Sequence, residues 1–200
     1  MQKIKVTLLE VTPEHVVNRA ISMPYDSEPS PELTRKVIGV KKHLSCAEHV
    51  VMNFIIEGSS RLELQEHMRH RMASPTVKSS RYTIQKGLEF VRPDLSALTQ
   101  AQRNVMNMAL DQSEALARNL VAVLQSDGIS NDYIKYILPE SLRTSFSWTI
   151  NLRSFINFLE LRTAENAHFE IRHIANLMRG EISRDKKADY VDKILKEMGL

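Results

Sequence analysis

The nine residues His49–Glu57, HVVMNFIIE, carry the reading that sets the fold class. Their even positions, Val50, Met52, Phe54 and Ile56, are all apolar, whereas the odd positions mix Val51, Asn53, Ile55 and Glu57. A repeat of two places successive side chains on opposite faces, so this is a β-strand with one fully buried face. Upstream, Lys3–Val11 alternates more weakly and reads as an edge or sheet strand. Downstream, Ser145–Ile150 looks extended. The rest of the chain changes period.

Pro13 opens a short helix through Val17 and Ala20, and the Pro/Ser-rich run Met23–Pro31 is a loop before a helix to about Lys42. Gly58-Ser59-Ser60 is expected to turn the chain into a helix near Arg61, with Leu64 and Met68 on its core face. Thr99 and Gln102 form a capping box. The helix they open carries a 3.6-period stripe through Met106, Ala109, Leu110, Ser113, Leu116, Ala117, Leu120 and Leu124. Asp127-Gly128 ends it, Ser130 caps a short helix bearing Lys135, and Pro139 stops that one. A helix starts near Asn151. Another uses Ala167, Ile171, Ile174, Ala175 and Met178 with Gly180 as its stop, and Val191, Ile194, Leu195 and Met198 finish the chain. Helices dominate, no regular βαβ order appears, and no repeat is present. The expectation is an α+β fold in one domain, residues 1–200.

With 200 residues the chain buries a core without disulfides or metal, and its single cysteine, Cys46, fits a reducing, cytoplasmic setting. No apolar run approaches membrane-spanning length, and the first residues lack the shape of a signal peptide. A net charge of +3 is too mild for a polybasic nucleic-acid coat.

That charge is concentrated. Arg69–Tyr82, RHRMASPTVKSSRY, holds Arg69, Arg71, Lys78 and Arg81 with no acid, and none follows until Glu89. Like charges so close call for an anion: a phosphate-bearing small molecule, a nucleic acid, or acids from elsewhere in the fold. Pro75 forbids a helix through the segment. The six glycines stand singly, so neither a GxGxxG nor a Walker-type loop exists. Bound phosphates would need Arg forks and Ser hydroxyls instead, which the segment supplies.

His67 and His70 stand three apart but show no third ligand, so no metal site is expected. Cys46 in HLSCAEH reads as packing rather than as a nucleophile. In Asn151–Arg162, NLRSFINFLELR, Arg153 and Asn157 share a helix side. Asn151 and Arg162 return to nearly the same azimuth about 16 Å apart, which suits an elongated site and equally a core helix with polar ends.

Taken together, Arg69-His70-Arg71, seven residues, Ser79, then Arg81-Tyr82 resembles the signature of the flavin-dependent thymidylate synthases, the ThyX family. HLSCAEH upstream and SFSWTINLRSFINFLELR downstream stand in the expected order, so the motifs run from His43 to about Arg162. The resemblance implies a small, mostly antiparallel sheet flanked by helices, assembled as a homotetramer with sites shared between subunits. It also implies reductive methylation of dUMP to dTMP, with methylenetetrahydrofolate giving the carbon and FAD carrying a hydride from NADPH. No nucleic-acid or membrane partner is implied.

Carried over by position, Arg69, His70 and Arg71 hold FAD, with Arg69 also near dUMP. Ser79, Ser80 and Arg81 bind dUMP, as do Glu66 and Lys135. Ser45, Asn151, Arg153 and Asn157 contact FAD, and His43 lies against the flavin. Arg162 matches the arginine that draws out the uracil imide charge, the one catalytic assignment. A guanidinium is no base at neutral pH, but it stabilises an anionic ring, so no cysteine adduct is needed.

The chain departs from the family pattern in three places. Thr76-Val77 replaces a common Asn-Glu, leaving Lys78 to meet a phosphate; Glu66 stands where Gln is frequent; and Lys135 replaces an arginine, keeping charge but losing the fork. The competing readings are a nucleic-acid-binding domain using the basic segment, which lacks interleaved aromatics, and an inactive relative kept for assembly.

Overall fold

The computed structural model describes residues 4–200. In chain order its elements are β1 (Lys5–Val11), α1 (Glu14–Ser22), α2 (Pro31–Arg35), β2 (Val51–Ser60), α3 (Arg61–His67) and β3 (Ala73–Val77). Then follow α4 (Ser80–Thr83), α5 (Gln100–Ser126), α6 (Asn131–Ile134), β4 (Arg143–Asn151), α7 (Leu152–Arg162), α8 (Phe169–Arg184) and α9 (Asp189–Glu197). The strands form one sheet in the order β1-β2-β4-β3, antiparallel at every pairing. The fold is α+β, and of the expected first strand only Lys3 lies outside the described residues.

The alternation in HVVMNFIIE does what its period demands. Val50, Met52, Phe54 and Ile56 are all 0% exposed, while Val51 and Glu57 face out. β4 alternates in the same way, burying Thr144, Phe146, Trp148 and Ile150. Phe54 pairs with Trp148 across the ladder, and both meet the aromatic face of α7. Phe54 stacks on Phe155 at 5.6 Å between centroids, and Trp148 meets Phe158 at 5.0 Å. Fully burying each such ring stabilises the fold by about 1.5–3 kcal/mol. α7 also packs on α8, which crosses β1, so the start and end of α7 are fixed from two sides.

Three expectations are corrected. Gly58-Ser59-Ser60 is not a turn: β2 runs to Ser60, and the ladder slips between Glu57 and Ser59 instead. Gly58 sits there at φ +86°, so the glycine makes a bulge that re-aims the strand before Ser60 caps α3. On α3 the fully buried pair is Glu63 and His67, while Leu64 is only partly buried. Hydrophobicity alone picked the wrong face, because a carboxylate and an imidazole one turn apart are bonded to each other and enter the core as a pair. Gly180 lies inside α8, which continues to Arg184; only the Arg184 side chain lies near where its Cβ would stand, and nothing there breaks the helix.

Pro75 lies in β3, an edge strand paired only to β4, where a missing N–H costs no ladder bond. The capping box is present at Thr99 and Gln102. Of the α5 stripe, Ala117 is buried and Leu124 packs in a small second cluster with Ile84, Phe90 and Leu142, whereas Leu116 is 59% exposed. Much of the helix is apolar and uncovered by its own chain.

Candidate active site

Helix α7 leaves the sheet at Asn151, whose Oδ1 accepts the Ser154 N–H at 2.9 Å and so caps the helix. Its Arg153 and Asn157 are exposed one turn apart, and Arg162 ends it. Facing α7 is the segment that follows α3. The helix closes with Met68 N–H donating to the Leu64 carbonyl at 3.0 Å, and His70 N–H then donates to the His67 carbonyl at 3.1 Å. This turns Arg69, His70 and Arg71 toward α7.

Between them lies a cleft of about 920 Å³, lined by Arg69, His70, Arg71, Asn151, Arg153, Asn157 and Arg162. α7 is thus a core helix capped by Asn151 that also turns its polar positions toward the cleft. Leu44 and Glu48 form another wall, from the segment that holds His43 and Ser45; those two are exposed and do not line the cleft.

Arg162 is the most constrained cation here. Its Nε–H donates to His70 Nε2 at 3.0 Å, Nη1 donates to Glu66 Oε2 at 2.7 Å, and Nη2 reaches the Glu66 carbonyl at 3.3 Å. Its side chain is only 15% exposed. Because His70 Nε2 accepts, the ring is neutral and carries its proton on Nδ1. Burial, reinforced by the Arg162 charge, pulls the His70 pKa down from 6.5 to about 4. His70 thus remains an acceptor throughout the neutral range. A guanidinium held at three points, with further N–H groups to spare, can present a fixed donor pair to a planar anion.

Other cations of the basic segment lie elsewhere. Ser79, Ser80 and Arg81 follow β3, and Arg81 pairs with Asp132 of α6 at 2.6 Å. Lys135 approaches the same carboxylate at 3.4 Å, and the Asn131 side chain donates to the Arg81 carbonyl at 2.8 Å. The Arg81 guanidinium holds Asp132 below the usual carboxylate range. No residue of this second patch lines the cleft. Lys78 extends the β3–β4 ladder by donating its N–H to the Ser145 carbonyl at 2.8 Å, and its side chain is exposed.

The question raised by the acid-free segment thus has a mixed answer. Within it, an acid from elsewhere in the fold meets only Arg81, through Asp132; on α7, Arg162 pairs with Glu66 and Arg153 with Glu48, at 2.7 Å each. Among the described residues, no ion-pair partner is found for Arg71 or Lys78, and Arg69 has only a 3.8 Å approach to Glu66. Three carboxylates, Glu48, Glu66 and Asp132, therefore act as counter-ions to the cations singled out by sequence. Glu66 was expected against dUMP and not as the partner of Arg162, and Glu48 and Asp132 were not expected at all. Glu48 belongs to the HLSCAEH motif, but an acid brought from a distant segment leaves no mark of its pairing in the sequence.

A family model described as thymidylate synthase complementing protein matches residues 7–185. A flavin-dependent thymidylate synthase of Wolinella succinogenes is 38% identical over 197 residues, spanning 91% of this chain and 95% of the relative. One of Campylobacter jejuni is 36% identical, spanning 92% and 94%. Among solved structures, thymidylate synthase X from Helicobacter pylori with FAD and dUMP aligns with a TM-score of 0.75 at 29% identity. That alignment covers 96% of this chain and 99% of the solved one.

Proposed function

The chain belongs to the family of flavin-dependent thymidylate synthases, and from that premise we propose how its two basic patches serve the conversion of dUMP to dTMP. It is an FAD-dependent thymidylate synthase. The observation that carries the proposal is Arg162, pinned by His70 and Glu66 at the edge of the cleft.

The cleft suits a flavin dinucleotide in size and charge. Its volume of about 920 Å³ lies at the upper end of cofactor sites. Arg71, without a carboxylate of its own, supplies the charge that a diphosphate needs. Arg69, His70, Arg153 and Asn157 line the same walls, and the amide group of Asn151 not used in capping supplies a donor. His43 and Ser45, exposed on the segment whose Leu44 and Glu48 form a wall of the cleft, would meet the flavin only where it extends beyond that wall. When bound, FAD supplies hydride transfer, with NADPH as reductant and methylenetetrahydrofolate as carbon donor.

The protein's own residues do the rest. Arg162 faces the uracil and stabilises negative charge on its imide, which raises electron density at the ring carbon that takes the methylene. Glu66 and neutral His70 keep that guanidinium from swinging away. Ser79, Ser80 and Arg81, with Lys78 and Lys135, hold the nucleotide and its phosphate; Arg81 exchanges Asp132 for the phosphate as dUMP arrives.

The arginine for the imide and the cations for the phosphate occupy separate patches of one chain, which supports a site completed by another copy. An apolar face of α5 beside that stripe offers the surface for it: Val105, Met108, Leu116 and Val123 are each more than half exposed. We assign the homotetramer to this face. The reading is tested with purified protein and tritium-labelled dUMP. With FAD, NADPH and methylenetetrahydrofolate it should release tritium, and a protein that holds flavin but releases none would be an inactive relative.

A further inference from the structure

Beneath the cleft lies a polar chain that the reaction as described does not use. Glu170 of α8, 3% exposed, accepts the Ser60 N–H and hydroxyl, each at 2.7 Å. The Ser60 hydroxyl accepts the Glu63 N–H at 3.0 Å. The Glu63 carboxylate meets Nδ1 of His67, and both side chains are 0% exposed. His67 sits in a box formed by Phe146, Trp148 and Phe158, at centroid distances of 4.9, 4.6 and 5.1 Å. The His70 ring packs on the other side of that wall, 4.9 Å from Phe158 and 6.3 Å from Trp148. The His67 carbonyl also takes the His70 N–H.

An aromatic box filled by an imidazole with a buried carboxylate is a poor way to stabilise a core. Glu63 Oε2 and His67 Nε2 are both buried without a protein partner, and two apolar side chains would fill the space without that desolvation cost. What the pair does reach is the residue that orients Arg162: the His67 ring shares the Trp148 and Phe158 wall with His70, and the two residues are joined through the His67 carbonyl. We propose that the buried Glu63–His67 pair is a positioning element of the active site: it fixes the last turn of α3 so that His70 is presented to Arg162 as a hydrogen-bond acceptor. The proposal rests on Arg162 acting on the uracil. Neither residue touches substrate.

The charges facing His70 are Arg162 from α7 and Glu66, Arg69 and His67 from its own segment, and the facing surfaces of Trp148 and Phe158 are uncharged. Arg162, His67 and Arg69 disfavour a proton on His70, and Glu66 favours one. On the far side, His67 faces Glu63, behind which stands Glu170, itself shifted upward by burial.

The test is the volume-conserving double variant Glu63→Leu/His67→Phe, studied beside Glu63→Gln in the FAD-loaded enzyme. The inference expects the double variant to melt at or above the parent temperature while losing about 10-fold to 100-fold in turnover with little change in KM for dUMP. The His70 imidazole, followed by nitrogen NMR, should take its proton at higher pH in both variants. Should the double variant not fold, Glu63→Gln alone decides. Parent-like His70 titration and turnover in a folded variant would overturn the inference, because a purely structural pair predicts only a stability change. If the parent itself releases no tritium, the function fails instead, and the His70 titration still reports on the pair.

Discussion

The Nε–H of Arg162 donates to Nε2 of His70 at 3.0 Å, joining the last residue of α7 to the segment after α3, 92 positions apart in the chain. The bond requires a neutral imidazole, so it ties the geometry of the site to a protonation state.

The first prediction follows from that state. Unfolded, His70 takes a proton as pH falls below 6.5, whereas the folded ring resists until about 4. The unfolded chain therefore binds more protons in that window, so this contribution is full above pH 6.5 and is lost as pH falls through about 4. Melting temperature should drop across that range, and His70→Asn should flatten the slope. A parent curve with no slope there would contradict the assignment.

Arg162→Lys keeps the charge but cannot keep three bonds to His70 and Glu66. Turnover should fall on the order of 10²–10³-fold, the scale for loss of a preorganised donor. FAD binding, measured by flavin absorbance after gel filtration, should persist. Equal loss of flavin and turnover would mean that Arg162 supports the cofactor instead.

Asp132→Asn releases Arg81 and Lys135 from their shared carboxylate. If these cations take the dUMP phosphate, the variant should bind dUMP severalfold more tightly at low salt, with the gain shrinking as salt is raised. Calorimetric titration reads both, and unchanged affinity at every salt concentration would remove Arg81 from the phosphate site.

Leu116→Glu places a charge in the exposed stripe of α5, far from the buried core. Light scattering should show smaller assemblies, with flavin retention falling in step. An intact assembly would move the interface off α5.

Gly58→Ala tests the bulge. At φ +86° a side chain is strained, and its Cβ would lie 2.9 Å from Arg143 Nη2. Chemical denaturation should show a loss of about 1–3 kcal/mol.

These positions also mark how far the sequence could be read. The strand read from His49–Glu57, which runs at Val51–Ser60, and the capped α5 were legible because period and capping are local. Gly58 was misread because a bulge and a turn ask for the same residue, and only the partner strand separates them. The α3 face was misread because Glu63 and His67 enter the core bonded to each other, which a hydrophobic pattern does not register. In the site, spacing along Asn151–Arg162 placed Asn151, Arg153, Asn157 and Arg162 on one side of the helix, and all four line the cleft. The pairing of Arg81 with Asp132 was invisible, since it joins residues 51 apart.

The central claim is that the imide and phosphate ends of one nucleotide are held by patches from different copies of the chain. A crystal structure grown with FAD and dUMP tests it most directly. The account predicts the uracil against Arg162 of one protomer and the phosphate on Arg81 of another, with Asp132 released. A nucleotide bound wholly within one chain, or an Arg81 still bridged to Asp132 beside an occupied site, would contradict it.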